Sequence, residues 1–135
     1  MKVAVVYAST TGNTEAMANA INDALKASGA EVIFGTADSA DKAAVTACDV
    51  ILLGSPAMGA EQLEDSMEEF FSSIEGSLAG KKVILFGSYD WGDGQFLSDW
   101  ADRVTSSGAN LAGAVKAQLA PDEAALEEIK KLALS

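Results

Sequence analysis

The chain alternates short apolar runs with amphipathic helical patterns along its whole length, and this alternation restricts its fold more than any other feature. Consecutive parallel strands need long crossover connections, and helices are the usual ones. The pattern therefore predicts an α/β fold, a single doubly wound five-stranded parallel sheet with helices on both faces. The predicted strands cover 3–7, 31–34, 50–54 and 82–87 and lie within 110–119; the predicted helices cover about 13–28, 62–74 and 95–106 and run from 121 almost to 135, with a loop and a helical turn in 36–47.

Composition bounds the class of protein. With 135 residues, of which 49% are hydrophobic, the chain is expected to form one domain over 1–135. No apolar run approaches the roughly 18 residues of a membrane span, and the N-terminus does not resemble a signal peptide. One cysteine suits a reducing compartment, so we expect a cytoplasmic protein. The absence of histidine excludes acid–base catalysis by histidine and metal sites built on it.

The net charge of −11 comes from 20 acidic and 9 basic residues. Such a surface repels nucleic acid and anionic membranes and attracts basic protein partners. The same charge could also serve solubility alone.

The loop after the first predicted strand is rich in neutral hydrogen-bond donors. It ends at the start of a helix, where unpaired N–H groups and a partial positive charge favour an anion. It contains no Lys or Arg, whereas a triphosphate-binding loop needs its lysine. These properties predict a site for one terminal phosphate, formed by Ser9, Thr10, Thr11, Gly12, Asn13 and Thr14.

Two further loops follow the third and fourth predicted strands, at 55–61 and 88–94. In a doubly wound sheet the ligand lies outside the carboxyl ends of the strands, so the three loops should share one surface. Met58 and Trp91 could hold a flat aromatic ligand from opposite faces. A loop methionine more often covers the core, whereas a tryptophan among Gly and Asp is harder to explain as a core residue.

With these loops the chain resembles the flavodoxins, and in particular short-chain flavodoxins of clostridial type from anaerobic bacteria. The likeness covers nearly the whole chain and implies the strand order 2-1-3-4-5. It is carried by Tyr7, Ser9, Gly12, Thr14, Ala18 and Ile21, by Leu53-Gly54-Ser55-Pro56-Ala57-Met58-Gly59-Ala60-Glu61 and by Phe86-Gly87-Ser88-Tyr89-Asp90-Trp91-Gly92-Asp93-Gly94.

The resemblance implies one non-covalently bound FMN. The phosphate contacts would fall on residues 9–14 with Ser55 close by, and Met58 and Trp91 would be the inner and outer stacking residues. Glu61 would accept a hydrogen bond from the flavin N3–H, and the Gly59 carbonyl would accept one from the reduced N5–H. The same resemblance places the rest of the cofactor contacts on Pro56, Ala57, Ser88, Tyr89, Asp90 and Gly92.

The implied function is that of a low-potential one-electron carrier and not of an enzyme. It would shuttle between semiquinone and hydroquinone, as a monomer, and dock basic-faced redox proteins near the flavin edge. Three positions depart from the family pattern: Ala60 replaces Asp or Gly, Asp90 replaces Gly, and Leu119 replaces an Asn that contacts the ribityl chain, for which Gln118 is a candidate substitute.

Other proteins of similar fold fit less well. Receiver domains need acids where Ala8-Ser9 and Ser55 stand, and small tyrosine phosphatases need a cysteine in the phosphate loop, whereas Cys48 precedes the third strand. A dinucleotide site lacks its G-x-G-x-x-G. The alternatives that stay open are an FMN-dependent quinone or azo reductase and a non-redox FMN-binding module.

Overall fold

The computed structural model describes residues 2–8, 12–58, 62–89, 94–118 and 121–134, apart from the side chains of Met58 and Gln118. Within these residues, strands and helices alternate. A 3₁₀ turn, Glu75–Ser77, extends the third helix. The strands are β1 (Lys2–Tyr7), β2 (Glu31–Thr36), β3 (Val50–Met58), β4 (Gln62–Leu63), β5 (Lys82–Tyr89) and β6 (Asn110–Gln118); the helices are α1 (Asn13–Ala27), α2 (Lys42–Thr46), α3 (Asp65–Ile74), α4 (Gln95–Ser106) and α5 (Glu123–Leu134).

Five of the strands form a parallel sheet in the order β2-β1-β3-β5-β6. The predicted fold and strand order are confirmed, with β5 and β6 as the predicted fourth and fifth strands. β3 continues four residues beyond its predicted end because it stays paired with β5 as far as Pro56 opposite Ser88. β6 contains one irregularity in register, opposite Val83 and Ile84.

The short strand β4 was not predicted. It pairs with β3 in antiparallel fashion, through Ala57 opposite Leu63. The predicted helix from residue 62 to 74 is therefore wrong for residues 62–64, because α3 begins only at Asp65. The Glu64 carboxylate caps that helix by accepting hydrogen bonds from the N–H groups of Ser66 (2.9 Å) and Met67 (3.3 Å).

The sheet is buried on both faces. Alternate residues of β1 point in opposite directions, and the four from Val3 to Val6 are fully buried, two in each core. Ala4 and Val6 belong to a core that includes residues of α2, α3 and α4. Val3 and Val5 belong to a core that includes residues of α1 and α5. The continuous apolar runs of the sequence thus follow from burial on both sides.

The last helix begins slightly later than predicted. Asp122 caps α5, since its Oδ1 accepts a hydrogen bond of 2.8 Å from the Ala125 N–H, so Pro121 precedes the helix instead of lying in its first turn. The helical turn expected in 36–47 is α2, which Asp41 caps. Of the described helices, none has the length and apolarity that a membrane crossing requires.

An ion pair joins α3 to α4 on the surface of the first core. The Arg103 guanidinium donates to both carboxylate oxygens of Glu68, at 2.8 and 2.9 Å, and lies 4.8 Å from the centroid of the Phe71 ring. The hydrogen bonds from Arg103 lower the pKa of Glu68 from its ordinary value of 4.5. The carboxylate form of Glu68 is therefore favoured by folding.

We expect Glu68→Gln to lower the free energy of unfolding by about 0.5–1 kcal/mol at pH 7, since both side chains are partly exposed. Because the pKa of Glu68 is lowered in the folded state, the full difference should be present above about pH 4.5 and should be lost as the pH falls through the lowered pKa. Urea unfolding of both proteins across this range measures it. Glu69→Gln, at an exposed carboxylate of the same helix, is the matched control; a wild-type advantage that does not shrink as the pH falls below 4.5 would contradict the assignment.

Candidate functional site

The carboxyl ends of β1, β3 and β5 lie side by side at one edge of the sheet. Tyr7 is opposite Gly54, and Pro56 is opposite Ser88. The Ala8 N–H donates a hydrogen bond of 2.9 Å to the Gly54 carbonyl, which keeps β1 against β3 at the start of the first loop. The three loops singled out in the sequence therefore start at neighbouring strands, as predicted.

The described residues cover only part of the predicted contact set. Brought together at this edge are residues 12–14, 55–57, the backbone of Met58, and 88–89. Among the predicted contacts, those outside the described residues are Ser9, Thr10, Thr11, Gly59, Glu61, Asp90, Trp91 and Gly92; the variant positions Ala60 and Leu119 lie outside as well.

Among the residues that the structure describes, no side chain caps the first turn of α1. Gly12, the residue before the helix, has φ +90° and, as a glycine, has no side chain with which to cap the helix. Its glycine is required by this left-handed conformation and not by crowding, because a Cβ there would contact no described atom within 4 Å. The first bond into the helix is from the Ala16 N–H to the Gly12 carbonyl, so the N–H groups of 13–15 have no acceptor within the helix.

Thr14 links this turn to β5. Its side chain is fully buried, and its Oγ1 lies 3.2 Å from the Oγ of Ser88, which is 3% exposed. Either hydroxyl can donate this hydrogen bond. Two residues separated by 74 positions in sequence thus join the first and third loops.

Tyr7, at the end of β1, contacts the same first turn of α1. Its hydroxyl donates a hydrogen bond of 3.2 Å to Oε2 of Glu15, in the first turn of α1. The pKa of Tyr7 is raised, chiefly by burial and then by the hydrogen bond to Glu15 and its charge. Tyr7 therefore remains a protonated donor at neutral pH and holds the Glu15 carboxylate.

Ser55 makes two hydrogen bonds with described residues. Its buried hydroxyl donates to the Pro56 carbonyl (2.9 Å) and accepts from the Glu64 N–H (3.0 Å). The single hydroxyl proton is thus donated within β3 itself. The contact between Ser55 and phosphate stays a prediction. In the structure, the Ser55 hydroxyl links the end of β3 to Glu64, the residue before α3.

Two glycines let the strand ends approach closely. A Cβ on Gly54 would lie 2.1 Å from the buried Phe86 ring, and a Cβ on Gly87 would lie 2.5 Å from the backbone oxygen of Ser55. Gly54 and Gly87 precede Ser55 and Ser88 directly, so they determine how closely β3 and β5 approach at these two serines. Periodicity gives no sign of this role, because both glycines read as simple strand ends.

Lys116 is a residue near the site that the loop motifs did not reveal. It lies opposite Gly87 on β6, and its Nζ is 5.8 Å from the centroid of the Tyr89 ring. Its stem covers Gly94, where a Cβ would lie 2.6 Å from the lysine Cδ. A positive charge therefore lies at the base of the third loop, although the first loop has none. Its position near the carboxyl end of the last strand was the available signal.

Comparisons with known proteins agree over almost the whole chain. The family model described as Flavodoxin matches residues 5–131. The chain is 49% identical over 123 residues to the flavodoxin of Megasphaera elsdenii, with 90% of each chain covered. It is 39% identical over 122 residues to that of Clostridium beijerinckii, covering 89% of this chain and 88% of the other. A solution structure of two-electron reduced Megasphaera elsdenii flavodoxin matches with a TM-score of 0.88 and 46% identity, covering 98% of this chain and 99% of that one.

Proposed function

This chain belongs to the flavodoxin family, and we propose that the edge of the sheet at α1, β3 and β5 is its flavin site. The protein binds FMN and carries electrons between redox partners; it is an electron-transfer protein and not an enzyme. The resemblance identified from the three loops is thereby confirmed, and the reading as a quinone or azo reductase is not supported.

The described residues fit the terminal phosphate of FMN, and this fit is the observation that carries the proposed site. The first turn of α1 offers N–H groups that the residue before the helix, Gly12, has no side chain to cap. Beside them lies the buried Thr14 hydroxyl, which can donate a further hydrogen bond. All of these donors are neutral, and residues 9–14 contain no Lys or Arg, so the phosphate would be held by dipoles and hydroxyl groups.

The remaining contacts are proposed from the sequence. Met58 and Trp91 would enclose the ring system, Glu61 would accept from its N3–H, and the Gly59 carbonyl would accept from N5–H. When bound, FMN supplies the redox chemistry by taking up and releasing electrons one at a time. The protein's part is to bind and orient it, and its acidic surroundings disfavour an extra negative charge on the ring.

Partners with basic faces are proposed to dock beside this edge. A groove of about 320 Å³ lies between β4, α3 and α4, next to the predicted second and third loops. Its one arginine, Arg103, is paired with Glu68. Its lining also includes Asp65 and Asp99, so these two aspartates would complement positive charge on a partner. We further propose that the protein acts in the cytoplasm, as a monomer with one domain over 1–135, in keeping with its net charge of −11.

Anaerobic reductive titration of the purified protein tests the function. We expect one FMN per chain, reduction in two resolved one-electron steps, and rapid oxidation by an added basic redox protein that slows at high salt. Reduction in a single two-electron step, with turnover of a quinone and a nicotinamide cofactor, would indicate a reductase. Absence of any bound flavin would contradict the proposal altogether.

A further inference from the structure

The buried hydroxyl groups of Thr14 and Ser88 carry more protons than the described structure uses. Each hydroxyl has one proton to donate, and the single hydrogen bond between them, at 3.2 Å, uses one. Within residues 2–8, 12–58, 62–89, 94–118 and 121–134, no acceptor is found for the second proton. A buried donor needs an acceptor, and the phosphate proposed at the N-terminus of α1 is one that Thr14 could reach.

The position of the pair indicates which hydroxyl faces that ligand. Thr14 is the second residue of α1, in the turn whose N–H groups favour an anion. Ser88 is buried near the end of β5, and its backbone lies between Pro56 on β3 and Ala117 on β6. The arrangement that leaves a proton beside the helix N-terminus is the one in which Ser88 donates to Thr14.

We propose that Ser88 is a positioning residue for phosphate, acting through Thr14: the Ser88 hydroxyl donates to Thr14 Oγ1, and the Thr14 hydroxyl thereby donates to a phosphate oxygen. The inference rests on the proposed function, since it takes the anion to be the phosphate of FMN. It differs from the contact expected from the family resemblance, in which Ser88 belongs to a loop that contacts the flavin.

This arrangement makes a specific prediction about two ligands. Riboflavin has the same ring and ribityl chain as FMN but lacks the phosphate. Ser88→Ala should raise the dissociation constant of FMN by about three- to tenfold, the usual effect of one hydrogen bond. The dissociation constant of riboflavin should change less than twofold. Flavin fluorescence, titrated with apoprotein, measures both constants.

A double-mutant cycle distinguishes an effect of Ser88 that acts through Thr14 from an effect of Ser88 on local packing. Thr14→Val should weaken FMN binding at least as much as Ser88→Ala, and adding Ser88→Ala to Thr14→Val should cost less than a further twofold. Ser98→Ala, at an exposed serine on α4, is the matched control and should leave both ligands unaffected. Should Ser88→Ala fail to fold, Ser88→Cys gives the same comparison, because a thiol is a weak donor of similar size.

Three results would overturn the inference. Equal weakening of FMN and riboflavin by Ser88→Ala would place Ser88 against the ring, and unchanged binding of both would show that Thr14 needs no partner. Independent, additive losses in the double mutant would mean that the two hydroxyls act separately. A wild-type protein that binds neither flavin would instead contradict the proposed function itself, which keeps the two failures distinguishable.

Discussion

Gly87→Ala is expected to lower the free energy of unfolding by about 3 kcal/mol, measured by urea denaturation with saturating FMN. The new Cβ would lie 2.5 Å from the backbone oxygen of Ser55 and 2.7 Å from the Phe96 ring. A ring in a packed core can shift by a few tenths of an ångström, but the carbonyl belongs to β3, which is paired to β5 at this point. Relief therefore requires the two strands to separate at Ser55 and Ser88, near the proposed phosphate site, so FMN affinity should fall as well.

Gly35→Ala is the matched control for this substitution. Gly35 also lies in a strand, β2, but a Cβ there meets only the Ser39 Oγ, at 3.9 Å. Alanine restricts the unfolded chain more than glycine does, so this variant should be neutral or slightly more stable than the wild type. Equal stabilities for the two variants would show that β3 and β5 are not held as closely as the structure has them.

The fold could be predicted because its signals are local. Continuous apolar runs indicate strands buried on both faces. The spacing of Phe96, Trp100 and Val104 predicted a helix, and its predicted range of 95–106 is the observed range of α4. The strand β4 could not be predicted in this way. Its two residues continue the helical spacing of α3, and their partner Ala57 is recognised only once β3 is known to extend past residue 54.

The candidate site was predictable in kind but not in its internal contacts. Donor-rich loops at the ends of strands are visible in the sequence, and so is the absence of a cation from the first loop. The Thr14–Ser88 hydrogen bond joins positions far apart in the chain, and the engagement of Ser55 with Glu64 depends on how the second loop returns to α3. Such contacts are set by tertiary packing, and no local pattern encodes them.

Removal of FMN is expected to produce the largest loss of stability. A ligand that binds only the folded state stabilises it by RT ln(1 + [L]/Kd), or about 4 kcal/mol when free FMN exceeds its dissociation constant a thousandfold. Urea unfolding of the apoprotein and of the FMN-saturated protein measures this difference. A difference that does not grow with FMN concentration would contradict binding to the folded state alone.

The loss of stability on removal of FMN should also be distributed unevenly through the molecule. Without the phosphate, the N–H groups of 13–15 and the second hydroxyl proton of the Thr14–Ser88 pair lose the acceptor proposed for them. The opposite end of the sheet keeps its packing, since Val3 and Ile84 stay buried in the core with α1 and α5. Hydrogen exchange in the apoprotein should therefore accelerate in the first turn of α1 and remain slow at the start of β1 and in the centre of β5.

Inorganic phosphate should restore part of the protection of 13–15, whereas sodium chloride at equal ionic strength should not. Uniform acceleration across the whole sheet would mean that FMN holds the fold together globally, and would contradict a phosphate site built on the first turn of α1.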